Sequence, residues 1–136
     1  MIAKEIKTIE EIEETVLTDT LSQEEIEGYE AKSLEFQKKY QTPKVHVYVG
    51  IEENTNKRVV AYLKEPSFTV KLYFLDKFTS LGAFSAAEEL ARAVLIKEES
   101  DPLTYGDGYE CDKYKLGVVT KCMEIAEIIQ NQFKKK

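Results

Sequence analysis

The run 59-VVAYLKEPSFTVKLYFLDKFTSLGAFSAAEELARAVLIKEESDP-102 decides the fold. A strand-like segment ends at Lys64, and Pro66 then forces a change of structure. Two apolar segments follow, joined near Gly82. In the first, Phe68, Leu72, Leu75 and Phe78 recur at helical spacing. The same residues, FTVKLYFL, are of types that also favour strands. The run continues to Leu81, about 14 residues, which is long for a strand, so the pattern predicts a helix. A third strand is the alternative. Pro66 suits the first turn of that helix, where its missing N–H costs nothing. In the second segment Ser85 and Glu88 have the spacing of a capping box. Ala87, Leu90, Ala91, Val94 and Leu95 then form its buried face.

Upstream, KVHVYVGI alternates, with Val45, Val47, Val49 and Ile51 on one face and His46 and Tyr48 on the other. This predicts a half-buried strand. EENTNK reads as a polar turn and RVVAYLK as the second strand, giving an antiparallel hairpin that needs a helical layer to be stable. Before the hairpin, LSQEEI is a strong helix start. Ser22 and Glu25 can cap each other's backbone, with Leu21 and Ile26 as flanking staple residues. Ile26, Tyr29, Ser33, Phe36 and Tyr40 continue at helical spacing until Pro43.

Downstream, Asp101-Pro102 stops the helix, and Gly106 and Gly108 mark turns. Val118, Cys122, Ile125 and Ile129 mark a last helix, whose closing lysines Lys134, Lys135 and Lys136 suit the negative end of the helix dipole. The expected fold is α+β: one antiparallel β-hairpin at about 44–64 packed with about four helices. Residues 21–136 form a single domain, and residues 1–20 an acidic amphipathic arm.

Charge is uneven. The 136 residues carry a net −6. Residues 1–40 hold 11 acidic and 5 basic side chains, which accounts for all of it; the remainder balances 14 against 14. An acidic arm repels phosphate, so nucleic acid is not expected as a partner. Ile2, Ile6, Ile9, Ile12 and Val16 form one apolar stripe along that arm, with Glu10, Glu11, Glu13 and Glu14 opposite. The stripe can pack on the body, on another copy, or on a partner. No signal peptide is expected from MIAKEIKTIEE, and no apolar run approaches the ~20 residues that span a bilayer. Cys111 and Cys122 fit no metal-ligand spacing, and read as free thiols of a reducing, cytoplasmic compartment.

Catalytic signals are missing. There is no phosphate-binding loop, no dinucleotide fingerprint, no nucleophile elbow and no zinc-protease motif. His46 is the single histidine and reads as a packing or surface residue. Asp101, Asp107, Glu110 and Asp112 lie within twelve positions but do not follow the calcium-loop spacing. A small metal-dependent enzyme built on the acidic loop 101–112 is therefore the alternative reading, and no catalytic residue, metal ligand or cofactor is expected. Tyr105 and Tyr109 on that loop, with Tyr114 beyond it, suit a protein-binding surface, where tyrosine is favoured.

The order of parts then resembles a known group. LSQEEIEGYEAK leads into KVHVYVGIEENTNKRVVAYLKEP, followed by segments containing FTVKLYFLDKF and AAEELARAVLIKEESDP. This is similar to small phage and prophage proteins that look like tail-assembly chaperones. The likeness covers roughly residues 21–133 and is firmest from Ala61 to Pro66. It implies a non-enzymatic binder of a protein client, a tape-measure or tail-tube protein. The candidate contacts are Ile2, Ile6, Ile9, Ile12, Val16, Tyr105 and Tyr109. A homo-oligomeric structural subunit is the third reading.

Overall fold

A computed structural model describes residues 17–134. Four α-helices and one two-stranded antiparallel sheet lie among them: α1 (Gln23–Lys39), β1 (Val45–Glu52), β2 (Lys57–Lys64), α2 (Phe68–Leu81), α3 (Ala83–Val94) and α4 (Asp112–Lys134). Short 3-10 turns fill the chain between α3 and α4. The α+β fold with a single hairpin is therefore as expected. No helix among the described residues is long and apolar enough to cross a membrane. The stripe from Ile2 to Val16, and Lys135 and Lys136, lie outside the described residues.

The hairpin lies between two helical layers. Its register pairs His46 with Leu63, Tyr48 with Ala61, and Val47 with Tyr62. Cross-strand partners share a face, so these pairs sort into two sets. Ala61 and Leu63 join Phe74, Leu90, Val94, Val118, Cys122, Ile125 and Ile129 in the larger core, against α3 and α4. Val45 and Tyr62 join Phe36 of α1 and Ile96 in a smaller core on the other face. On one face of β1, His46 and Tyr48 lie against helix α4, while on the other Val45 is buried and Val47 and Val49 stay half-buried.

Local details follow from side chains close in sequence. The Ser22–Glu25 capping box is formed, with Glu25 N donating to Ser22 Oγ at 3.1 Å and Ser22 N donating to Glu25 Oε1 at 3.0 Å. Helix α2 is a helix, not a third strand. Its cap is Ser67, which accepts from Val70 N, so Pro66 sits ahead of the helix instead of inside its first turn. The apolar stripe of α2 is also rotated from expectation. Phe68 and Leu72 are 65% and 43% exposed, while Phe74 at 2% carries the burial, flanked by Val70 and Phe78. The Ser85–Glu88 capping box does not form. Helix α3 starts directly after Gly82, and no side chain caps it. Gly82 has φ of 93°, a backbone state that other residues rarely adopt, and this lets α2 reverse into α3 without a linker.

Candidate functional site: an apolar groove beside an open strand edge

Residues 95–101 seal one edge of the sheet. Ile96 N donates to Tyr62 O at 2.9 Å, and Asp101 N donates to Val60 O at 2.8 Å. Ser100 Oγ accepts from Tyr62 N at 3.0 Å and donates to Ile96 O at 2.7 Å. These bonds fix the polarity of the ladder. Because the backbones of Val60 and Tyr62 point away from β1, those of their partners Val49 and Val47 point away from β2. At the turn end, Ile51 O accepts from the Tyr114 hydroxyl at 3.1 Å. Among the described residues nothing pairs with the outward backbone of Val47 and Val49.

A groove of about 490 Å³ runs beside this open edge. Its α1 wall presents Ile26, Tyr29, Ser33 and Gln37, which recur at helical three- and four-residue steps. Val45, Val47 and Val49 form the β1 wall, and Leu21 closes one end. Leu34 stands on the rim, 60% exposed. Glu30 and Lys44 are the charged residues of the lining. Helix α1 packs on β1 through Phe36, which joins Val45 and Tyr62, and the groove lies between its Ile26–Tyr29–Ser33 side and the half-buried Val47 and Val49.

Charged contacts hold the groove's walls in place. Arg58 of β2 donates from Nε to Glu25 Oε2 at 2.7 Å and from Nη2 to Glu25 Oε1 at 3.1 Å. Those bonds, with the Ser22 backbone N–H, draw the Glu25 carboxyl down to about 2. Arg58 Nη1 also donates to Thr18 O at 2.6 Å, and Leu17 N donates to Asn56 Oδ1 at 2.9 Å. At the other end of the hairpin, His46 Nε2 lies 2.9 Å from Glu65 Oε1, and Lys71 Nζ lies 3.3 Å from Glu65 Oε2. Burial pushes the imidazole below its ordinary value, against the pull of Glu65. At neutral pH it is therefore neutral and donates its Nε2–H to the carboxylate, tying β1 to the first turn of α2.

The remaining residues singled out from sequence are scattered. Tyr105 lines a separate cleft of about 390 Å³ between α3 and α4, with Lys97 Nζ 5.6 Å from its ring centroid. Tyr109 is 94% exposed on the 3-10 turn Tyr109–Cys111. Asp101 caps its own turn, accepting from Leu103 N at 3.0 Å, and Asp112 begins α4. Among the described residues no group of three or more histidine, cysteine, aspartate or glutamate side chains is placed to hold a metal ion. Sequence reasoning missed the groove. Its signal was the overlap of two stripes already visible, Ile26–Tyr29–Ser33 and Val45–Val47–Val49.

The chain matches no protein-family model, no curated protein and no solved structure.

Proposed function

We propose that this chain is a non-catalytic binding protein that holds an apolar segment of a protein client in the groove beside β1. One observation carries the reading: an apolar trough whose floor is a strand with unpaired backbone groups at Val47 and Val49. Such a site offers two ways to hold a peptide, by burying an amphipathic helix or by adding a strand. The likeness to phage tail-assembly chaperones supplies the client class, an amphipathic stretch of a tape-measure or tail-tube protein. The acidic helix α1 favours clients carrying basic residues beside their apolar stripe.

The test titrates a fluorescein-labelled peptide from the amphipathic repeat of a phage tape-measure protein against the full chain, reading anisotropy. Saturable binding that Leu34→Glu and Val47→Glu each weaken at least tenfold, while Tyr109→Glu leaves it unchanged, supports the reading. Binding that ignores both groove substitutions refutes it.

A second reading, self-association, rests on α2. Leu72, Tyr73 and Leu81 are exposed on a helix that packs mainly against α3. Sedimentation of the full chain over a hundredfold concentration range separates the two, since only the second predicts a rising mass lowered by Leu72→Glu.

A further inference from the structure

We propose that the cleft between α3 and α4 is a second binding site, which takes a small apolar carboxylic acid, its tail against the two helices and its carboxylate on Lys115 and Lys97. The inference is independent of the client groove, which lies on the opposite face of the hairpin.

Shape is the first argument. The cleft lies where the chain leaves α3. That helix ends at Val94, and Leu95 is extended, with φ of −64° and ψ of 129°. The next residue is tied to the sheet, Ile96 N donating to Tyr62 O at 2.9 Å. The chain then reaches α4 only through the short turns Lys97–Glu99, Pro102–Thr104 and Tyr109–Cys111. The cleft beside these turns has a volume of about 390 Å³. Small-molecule sites typically measure about 300–1,000 Å³ and combine an apolar lining with a few polar groups. Here the apolar wall is Ala91, Leu95, Val118 and Val119. Ala91 and Val118 belong to the larger core and the other two pack against it, so the wall is rigidly backed.

Charge is the second. Three cations and two anions line the cleft, on a chain whose net charge is −6. Arg92 and Glu88 neutralise each other, Nη2 lying 2.6 Å from Oε1. Asp107 is exposed to water on the loop. Lys97 is held at the cleft by Tyr105, with its Nζ 5.6 Å from the ring centroid. Lys115 is half-buried and makes no ion pair or hydrogen bond among the described residues. Lysine is seldom withdrawn from water without a partner.

The ligand class follows from both. A neutral apolar molecule would cover the wall and leave Lys115 further dehydrated and unpaired, which is costly. A cation would meet two lysines. A carboxylate on an apolar tail satisfies the wall and the lysines together. A peptide is the poorer fit, because residues 95–101 already close the adjoining β2 edge and leave no ladder to join.

The experiment titrates the full chain with octanoate, octan-1-ol and octylammonium, which share a tail and differ in charge, and follows proton–nitrogen correlation spectra. Octanoate should shift the amides of Ala91, Leu95, Lys115 and Val119 saturably. It should bind at least about tenfold more tightly than octanol, the effect of one hydrogen bond to a charged group. Lys115→Gln should remove that advantage and leave octanol binding unchanged, and Lys115→Arg should restore it. Leu34→Glu, on the rim of the client groove, should change nothing. Equal binding of octanoate and octanol overturns the proposal, as does tighter binding of octylammonium. Octanoate shifts confined to Val47 and Val49 also overturn it, by placing the acid in the client groove. So does a Lys115→Gln protein that melts earlier yet keeps its preference for octanoate, since the lysine would then serve packing alone.

Discussion

Gly117 sits inside α4, where glycine costs about 1 kcal/mol relative to alanine, so Gly117→Ala should stabilise the helix by that amount. The tertiary contact opposes it. A methyl group at Gly117 would lie 2.5 Å from Tyr48 Cζ, and one at Gly50 would lie 2.5 Å from Tyr48 Oη. The two glycines therefore form a cradle for the Tyr48 ring, one from α4 and one from the same face of β1. Carbon atoms want about 3.5–4.0 Å, so the ring must retreat by about 1 Å or more. Tyr48 packs against the larger core, cross-strand from buried Ala61, and has little room to yield. Overpacking of this kind costs about 1–3 kcal/mol. Set against the helix gain, Gly117→Ala alone should be neutral to destabilising by about 2 kcal/mol, from the same two terms. The sharper measurement is the cycle with Tyr48→Ala, by urea unfolding followed by far-UV circular dichroism. Without the ring, Gly117→Ala should stabilise by about 1 kcal/mol, and the coupling between the sites should be about 1–3 kcal/mol. If Gly117→Ala stabilises equally with and without the tyrosine ring, α4 does not lie against Tyr48 and the two-layer arrangement is wrong.

Leu90, 2% exposed in the larger core, should cost about 2–5 kcal/mol when replaced by Ala, read from the urea midpoint. Ser22→Ala removes the α1 cap and should cost about 0.5–2 kcal/mol, an effect abolished if Glu25 is replaced at the same time and the box acts as a unit. Stability should fall as pH drops below about 6.5, the ordinary histidine value. Burial lowers the folded-state value of His46, so the unfolded chain takes up the proton first and acid favours unfolding. Thermal melts from pH 8 to 5 should show this loss, and His46→Gln should flatten it. Burial raises the Cys122 thiol to about 12, so iodoacetamide should leave Cys122 untouched in the folded protein and modify it only in denaturant.

How far the sequence could be read depended on how local each determinant was. The α1 cap needs only Ser22 and Glu25, and it forms as expected. Helix α4 has one apolar stripe, and Val118, Cys122, Ile125 and Ile129 are all buried. Helix α2 carries apolar residues around most of its circumference, so periodicity alone leaves several possible stripes. Contact with α3 selects the one centred on Phe74 and leaves Phe68 and Leu72 turned outward. The Ser85 box failed for a related reason: Gly82 can turn the chain in one residue, and the helix begins before the serine is reached. Whether His46 packs or meets solvent stayed open in the sequence, because the pattern of one strand cannot say that a helix seventy residues later will cover it.

The groove was hidden by the same non-locality, yet its cause is simple. Helix α1 presents two apolar directions. Phe36 packs with Val45 and Tyr62, while Ile26, Tyr29 and Ser33 line the groove. One helix about 10 Å across cannot cover both strands and their open edge. The β2 edge is closed by residues 95–101, whose bonds to Val60 and Tyr62 leave that side no vacancy. The β1 edge has no such segment among the described residues. Val47 and Val49 are kept from full burial by geometry, not by composition, since β-branched residues are what a covered strand would carry. A strand built for burial, next to a helix with a second apolar face, calls for one more element.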